Sequence, residues 1–121
     1  NFVQIPTAKL KDRIAQLCEQ YAIQFVETEE SYTSKSSFLD ADEIPKFPEK
    51  REGWKPSGER TKRGLYKTSA GFVINADCNG AANIVRKVSV MLGLVLNGIS
   101  RGCLSQPKKV HLWTLQKSQC L

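Results

Sequence analysis

The sequence predicts an α/β or α+β unit, and three patterns carry that prediction. Leu10, Ile14, Leu17, Cys18 and Tyr21 fall at the i, i+4, i+7, i+8, i+11 spacing of one helix face. Ile23 to Glu29 then alternates, with Ile23 and Phe25 on one side and Gln24, Val26 and Thr28 on the other. Further on, Ala81, Ile84, Val85, Val88 and Leu92 describe the apolar face of a second helix. A helix, a strand and another helix bury their apolar sides only against one another, which is the packing logic of a mixed layer architecture.

The first helix is expected over 7–21, packing on the core, with Thr7 after Pro6 as its N-cap. The strand at 23–29 should be half buried, with an acidic C-terminal end. Residues 31–71 change character, with Pro45, Pro48 and Pro56 and Gly53, Gly58, Gly64 and Gly71 among Ser, Thr and Lys. Roughly 40 residues without helix is long for a connection inside a compact domain and predicts a functional insertion. Within it, Gly64 to Thr68 and Gly71 to Ile74 read as a hairpin turning at Thr68-Ser69-Ala70. The second helix is expected near 78–92, with Arg86 and Lys87 outward. Val110 to Leu115 alternates like a strand that could pair onto a sheet edge.

Composition narrows the function. At 121 residues there is room for one domain. The longest apolar stretch, Val88 to Leu96, is far short of the ~18–20 residues that span a bilayer. Asn1-Phe2-Val3-Gln4 lacks the basic-then-apolar pattern of a secretory signal. Cys18, Cys78, Cys103 and Cys120 are scattered, without a C-x-x-C pair, so we expect thiols acting as small apolar residues in a reducing cytoplasm. The first residue is not Met, and we expect the chain to be the tail of a longer reading frame. No G-x-S-x-G, P-loop or G-x-G-x-x-G is present, which leaves hydrolase, NTPase and dinucleotide readings without support. His111, the single histidine, reads as a packing or surface residue, since no second histidine accompanies it. Trp113 reads as the cap of a core edge.

The net charge of +6 is unevenly placed. Glu27, Glu29, Glu30, Asp40, Asp42 and Glu43 make 27–43 acidic. Lys46, Lys50, Arg51, Lys55, Arg60, Lys62, Arg63 and Lys67 make 44–67 basic, and from Arg86 onward there is no acidic residue. Basic segments displace counterions from phosphate backbones. Phe47, Trp54 and Tyr66 lie among these cations, a combination suited to stacking on bases while cations track the backbone.

The sharpest local feature is Asp77-Cys78-Asn79-Gly80-Ala81-Ala82-Asn83-Ile84. Asp77 has two readings: an N-cap accepting backbone N–H groups, or a carboxylate presented to Mg²⁺ where a strand meets a helix. Taken with Tyr21-Ala22-Ile23, Glu30-Ser31-Tyr32-Thr33-Ser34-Lys35 and Arg63-Gly64-Leu65-Tyr66, the order from about Pro6 to Val88 resembles the C-terminal part of the TnpB (OrfB) proteins of insertion sequences. These are RuvC-like, RNA-guided nucleases related to type V CRISPR effectors.

The resemblance implies an α/β fold, the C-terminal half of an RNase H-like (RuvC) fold, with an inserted zinc-ribbon-like β module lacking its cysteines. It divides the chain into a RuvC-like helix and strand at 1–30, a zinc-free target-nucleic-acid-binding insert at 31–76, the third-motif helix at 77–92 and a basic tail at 93–121. Asp77 matches the catalytic aspartate of the third motif, a ligand in a two-Mg²⁺ site, with Asn79 and Asn83 supporting the helix start. Tyr32, Ser34, Lys35, Arg60, Lys62, Arg63 and Tyr66 are the expected nucleic-acid contacts.

The family's insert is often a four-cysteine zinc ribbon. Here the matching positions are Ser37, Asp40, Lys67 and Ala70. No zinc is expected, and the insert should rest on packing of Phe38, Leu39, Ile44, Phe47, Trp54, Leu65, Tyr66 and Phe72. The family's other two catalytic carboxylates lie in upstream motifs. Glu27 and Glu29 could pair on one strand face, but read better as its solvated end. The implied partners are DNA, a guide RNA and the upstream half of a RuvC domain, with no membrane. The function this suggests is part of a transposon-encoded, RNA-guided DNA endonuclease. The alternative is a catalytically dead, stand-alone nucleic-acid-binding remnant.

Overall fold

The computed structural model of the chain describes residues 6–49 and 52–111. Helix α1 spans Thr7–Gln20. It is followed by three strands, β1 (Glu59–Lys62), β2 (Leu65–Lys67) and β3 (Val73–Asn75), then α2 (Ala76–Leu92) and a short α3 (Arg101–Ser105). The strands form one antiparallel sheet in the order β1-β2-β3. The fold is therefore mixed α/β, with a small sheet made entirely from residues 59–75.

Helix α1 forms where its periodicity places it, but none of its residues is buried, and Leu10 and Ile14 are largely exposed. The expected core-packing role is thus corrected: among the described residues no element covers its apolar face. The helix ends with Ala22 in the left-handed region at φ 56, with Ile23 N–H donating to Cys18 O and Ala22 N–H to Glu19 O. These are the two bonds of a Schellman closure.

The expected strand at 23–29 does not form. A strand needs a neighbour to take its backbone groups, and the sheet is completed by the sequence-adjacent strands 59–75 without it. Side chains hold this extended segment instead, through Lys11 to Glu27 at 3.0 Å and Lys87 to Glu29 at 2.5 Å.

The hairpin lies where the residues predicted it. Tyr66 pairs with Ile74 and Leu65 with Asn75. Its turn is closed by Thr68 N–H to Phe72 O at 2.8 Å and Phe72 N–H to Thr68 Oγ1 at 3.2 Å. A further strand, β1, pairs Arg60 with Tyr66 and bulges before Lys62. Arg63-Gly64 joins it to β2, with Gly64 at φ 80, which only glycine adopts without strain.

Helix α2 begins at Ala76, earlier than expected, and its N-cap is Asn75 rather than Asp77: Asn75 Oδ1 accepts the Cys78 N–H at 2.9 Å. Asp77 already lies inside the first turn. Gly93 ends the helix at φ 70. The buried face of α2 is Ala76, Asn79, Ala82, Asn83 and Ser89, not the apolar face read from the sequence, and Val85 is 47% exposed. Arg86 and Lys87, expected outward, are half-buried.

Phe38, Tyr66, Ile74, Ala76, Ala82 and Leu104 form the core, with Leu39, Cys78, Leu96 and Ile99 packed against it. Leu104 comes from α3, which the sequence did not announce. Of the residues expected to pack the insert, Phe47, Leu65 and Phe72 are exposed. Arg101 lays its guanidinium over the Phe72 ring at 4.4 Å. Of the expected tail strand, 112–115 lie outside the described residues. No described helix is long and apolar enough to cross a membrane.

Candidate nucleic-acid interface

The motif Glu30-Ser31-Tyr32-Thr33-Ser34-Lys35 folds into a tight turn. Thr33 N–H donates to Glu30 O, and Lys35 and Ser36 N–H both donate to Tyr32 O. Thr33 Oγ1 and Ser36 Oγ repeat these bonds from their side chains, at 2.7 and 2.9 Å. Such a turn leaves the carbonyls of Thr33 and Ser36 without a donor from the local backbone, whereas Phe38 O accepts the Ala41 N–H at 3.1 Å; buried carbonyls must find donors.

Helix α2 supplies the donors. Asn79 Nδ2 donates to Ser36 O at 2.8 Å while its Oδ1 accepts Phe38 N–H at 3.0 Å. Asn83 Nδ2 donates to both Thr33 O and Ser36 O at 2.8 Å. Arg86 Nη2 donates to Phe38 O, with the guanidinium 4.0 Å above the Phe38 ring. Lys87 Nζ donates to Ser31 O at 2.7 Å and pairs with Glu29. Positions 79, 83, 86 and 87 follow the i, i+4, i+7, i+8 spacing of one helix face. The two motifs that stand out in the sequence are therefore two halves of one buried interlock. Its signal was a donor stripe at helical spacing, which a hydrophobic reading passes over.

The same interlock anchors the sheet. Tyr66 Oη donates to Lys35 O at 2.7 Å, and the Tyr66 side chain is 1% exposed. The expected nucleic-acid contact by Tyr66 is corrected: its ring fills the core, because its register partner Ile74 is buried on the same face of the sheet. Burial, reinforced by the negative charge of Asp42, pushes its phenol up to about 12, so it stays a donor.

The remaining expected contacts are accessible. Ser34 and Lys35 are exposed on the turn, and Arg60, Lys62 and Arg63 are exposed on β1 and the β1–β2 turn. Tyr32, at φ 66, is half-buried and meets Trp54 edge-on with ring centroids 5.6 Å apart. Trp54 Nε1 in turn donates to Glu43 O at 3.0 Å. The turn and the cationic hairpin are thus coupled directly through the bond from Tyr66 to Lys35.

Asp77 is exposed in the first turn of α2. It lies two residues, about 200° around the helix, from Asn79, and so faces away from the interlock. One such carboxylate fits the role of a single ligand to a hard divalent cation. Among the described residues no group of three or more His, Cys, Asp or Glu could hold a metal ion. Glu27 and Glu29 do not form a carboxylate pair. Each is bound to a different lysine, and hydrogen bonds from Lys87 and Ser31 hold the Glu29 carboxyl down at about 2.

At the four positions that the resemblance matches to a zinc ribbon, the residues do not fit a metal. Ser37 Oγ accepts the Asp40 N–H, the Asp40 carboxylate is engaged by Ser69, Lys67 is a cation and Ala70 has no donor atom.

An exposed cationic hairpin fixed to a helix-and-turn interlock is the class of module that this fold and site define. A family model for the Cas12f1-like TNB domain matches residues 8–84, from α1 through the asparagine face of α2, and the chain belongs to that family. It is thereby related to the TnpB and Cas12 nucleic-acid-binding nucleases. Comparison with curated proteins and with solved structures gives no match.

Proposed function

We propose that this chain is the zinc-free target-DNA-binding module and third-motif helix of a TnpB-type, RNA-guided DNA endonuclease. The observation that carries the reading is the interlock. It makes one rigid unit of the turn with Ser34 and Lys35, the hairpin with Arg60, Lys62 and Arg63, and the helix whose first turn carries Asp77. A nuclease that grips its target with one element and cuts with another needs that coupling, because the reacting phosphate must be placed within a fraction of an ångström.

In this reading Asp77 supplies one ligand of a Mg²⁺ site. When bound, Mg²⁺ activates water and stabilises the leaving oxygen. The remaining carboxylates come from an RNase H-like half of the nuclease, which completes the fold around α1 and α2. The exposed apolar side chains on both helices and just beyond α2, including Leu10, Ile14, Val90, Met91 and Val95, support such a partner surface. A guide RNA is the further partner.

The test is a salt titration of binding by the full chain, with labelled duplex and single-stranded DNA. The Arg60→Ala/Lys62→Ala/Arg63→Ala variant should weaken binding and reduce the magnitude of the log–log salt slope by about 2–3 on duplex. An unchanged slope would remove the hairpin from the interface. With Mg²⁺ the chain alone should leave DNA intact, since one aspartate cannot hold two metal ions. Cleavage should appear on adding a polypeptide carrying the two upstream carboxylate motifs and should vanish with Asp77→Ala. Binding that never yields cleavage would instead favour the stand-alone remnant.

A further inference from the structure

The loops of the insert are joined by two carboxylates. Asp40 accepts the Ser69 backbone N–H at 3.0 Å and the Ser69 hydroxyl as well. Asp42 accepts at Oδ2 from the N–H groups of Ser37 at 2.8 Å and Ser57 at 2.9 Å, and at Oδ1 from the Ser57 hydroxyl. The loop at 37–42 is thereby tied to the start of β1 on one side and to the β2–β3 turn on the other. Ser37 is fully buried and its Oγ accepts the Asp40 N–H, which fixes the carboxylate's backbone.

The residues bridged lie 15 and 29 positions apart in sequence. Bonds across such separations must repay the closure entropy of the loops they span, and they hold those loops in the folded state alone. The two loops joined by Asp40 and Ser69 are also those carrying Ser37 and Asp40 on one side and Lys67 and Ala70 on the other, the four positions that do not fit a metal. Few apolar side chains do this work in their place: of the described aromatic residues in the insert, Phe38 and Tyr66 are the buried ones.

We propose that this pair of aspartate–serine clasps takes the place of a metal centre in closing the module, so that the module is held by carboxylate charge and binds no structural zinc. A carboxylate accepting N–H and O–H from one serine makes two charge-assisted bonds, the stronger kind in proteins. The clasp differs from a thiolate–zinc knot in its indifference to a chelator; acid undoes both, since thiolates hold a metal only while deprotonated.

Burial of the Asp40 carboxyl works toward raising its pKa. The bonds from Ser37 and Ser69 outweigh that, and hold it below the usual aspartate value. Because the folded pKa is depressed, the stabilisation is full above the unfolded value of about 3.9 and fades as pH falls through the folded one. The charged and titratable neighbours are Asp42, Tyr66 and Arg86, the last coupled to Asp42. Tyr66 and Arg86 keep their protons throughout the acid range. The inference is independent of the nucleic-acid reading, since binding can fail while the clasps hold.

Thermal unfolding of the full chain, with metal analysis, tests it. The wild-type protein should carry no stoichiometric zinc, and its Tm should not change with EDTA. Asp40→Asn should lower Tm at pH 7 by about 3–8 °C, and the gap to wild type should close below about pH 4. Ser69→Ala should lower Tm by less, and should add little in the Asp40→Asn background. Stoichiometric zinc with a chelator-sensitive Tm would overturn the proposal. So would an Asp40→Asn variant as stable as wild type at pH 7, or strict additivity of the two substitutions. If Asp40→Asn does not fold, Ser69→Ala alone decides, and an unchanged Tm counts against the clasp.

Discussion

Asn79→Ala should destabilise the chain by about 2–4 kcal/mol in urea denaturation. The side chain is fully buried and uses both ends of its amide, accepting from Phe38 N–H and donating to Ser36 O. Alanine removes both partners at once. Ser36 O keeps a bond from Asn83, but the Phe38 N–H keeps no partner from α2, and a buried unsatisfied donor costs about 1–3 kcal/mol. The lost side-chain volume adds to this. Asn79→Asp is the sharper companion. It preserves the acceptor for Phe38 while turning a carboxylate oxygen toward the Ser36 carbonyl, so it should also destabilise. Asn79 and Asn83 share Ser36 O, and the double alanine variant should therefore depart from additivity. A change below about 0.5 kcal/mol for Asn79→Ala would mean that the interlock does not hold the turn.

Gly58→Ala should be comparably damaging, by about 3 kcal/mol, near the upper end for overpacking. A Cβ at this position would sit 2.4 Å from Lys67 O and 2.6 Å from Cε1 of Tyr66. The carbonyl is backbone within the β1–β2 pair, where Glu59 faces Lys67, so it yields only by breaking the sheet register. Tyr66 cannot swing away without giving up its bond to Lys35 O, which couples hairpin to turn. Loss of DNA affinity should accompany the loss of stability, because the clash strikes the joint between the two sets of cations. Gly80→Ala is the control. Its Cβ would meet only Ser34 Cα at 4.0 Å, and relief of helix-interior glycine should stabilise by up to about 1 kcal/mol. If Gly58→Ala proves as harmless as Gly80→Ala, the close approach of residue 58 to β2 is wrong.

The elements legible in the sequence were those whose partners are near in the chain. Helix α1 announced itself through Leu10, Ile14 and Leu17, and the β2–β3 hairpin through Gly64, Thr68 and Gly71. Failures began where distant segments decide. Ile23 to Glu29 alternates as a strand does, yet among the described residues no strand pairs with it. Glu27 and Glu29 were candidates for one carboxylate pair and instead each found its own lysine. Tyr66 looked like a stacking aromatic among cations, and burial claimed it. Asp40 and Asp42 read as acidic surface, whereas serines 29 and 15 residues away make them cross-links.

By itself, the sequence determined the family, the position of Asp77 near the start of a helix, the location of the cations and the absence of cysteine at positions 37, 40, 67 and 70. Those are properties of residue order and type. Only the tertiary structure decided which side of α2 faces inward. Its apolar side chains at 81, 84, 85, 88 and 92 gave the stronger pattern. Yet a turn whose carbonyls at 33 and 36 lack local donors lay against the other side, and a buried carbonyl without a donor costs more than an exposed valine. The need for Asn79, Asn83, Arg86 and Lys87 on that face arises from the carbonyls of a segment some 50 residues upstream, and hydrophobic periodicity carries no record of it.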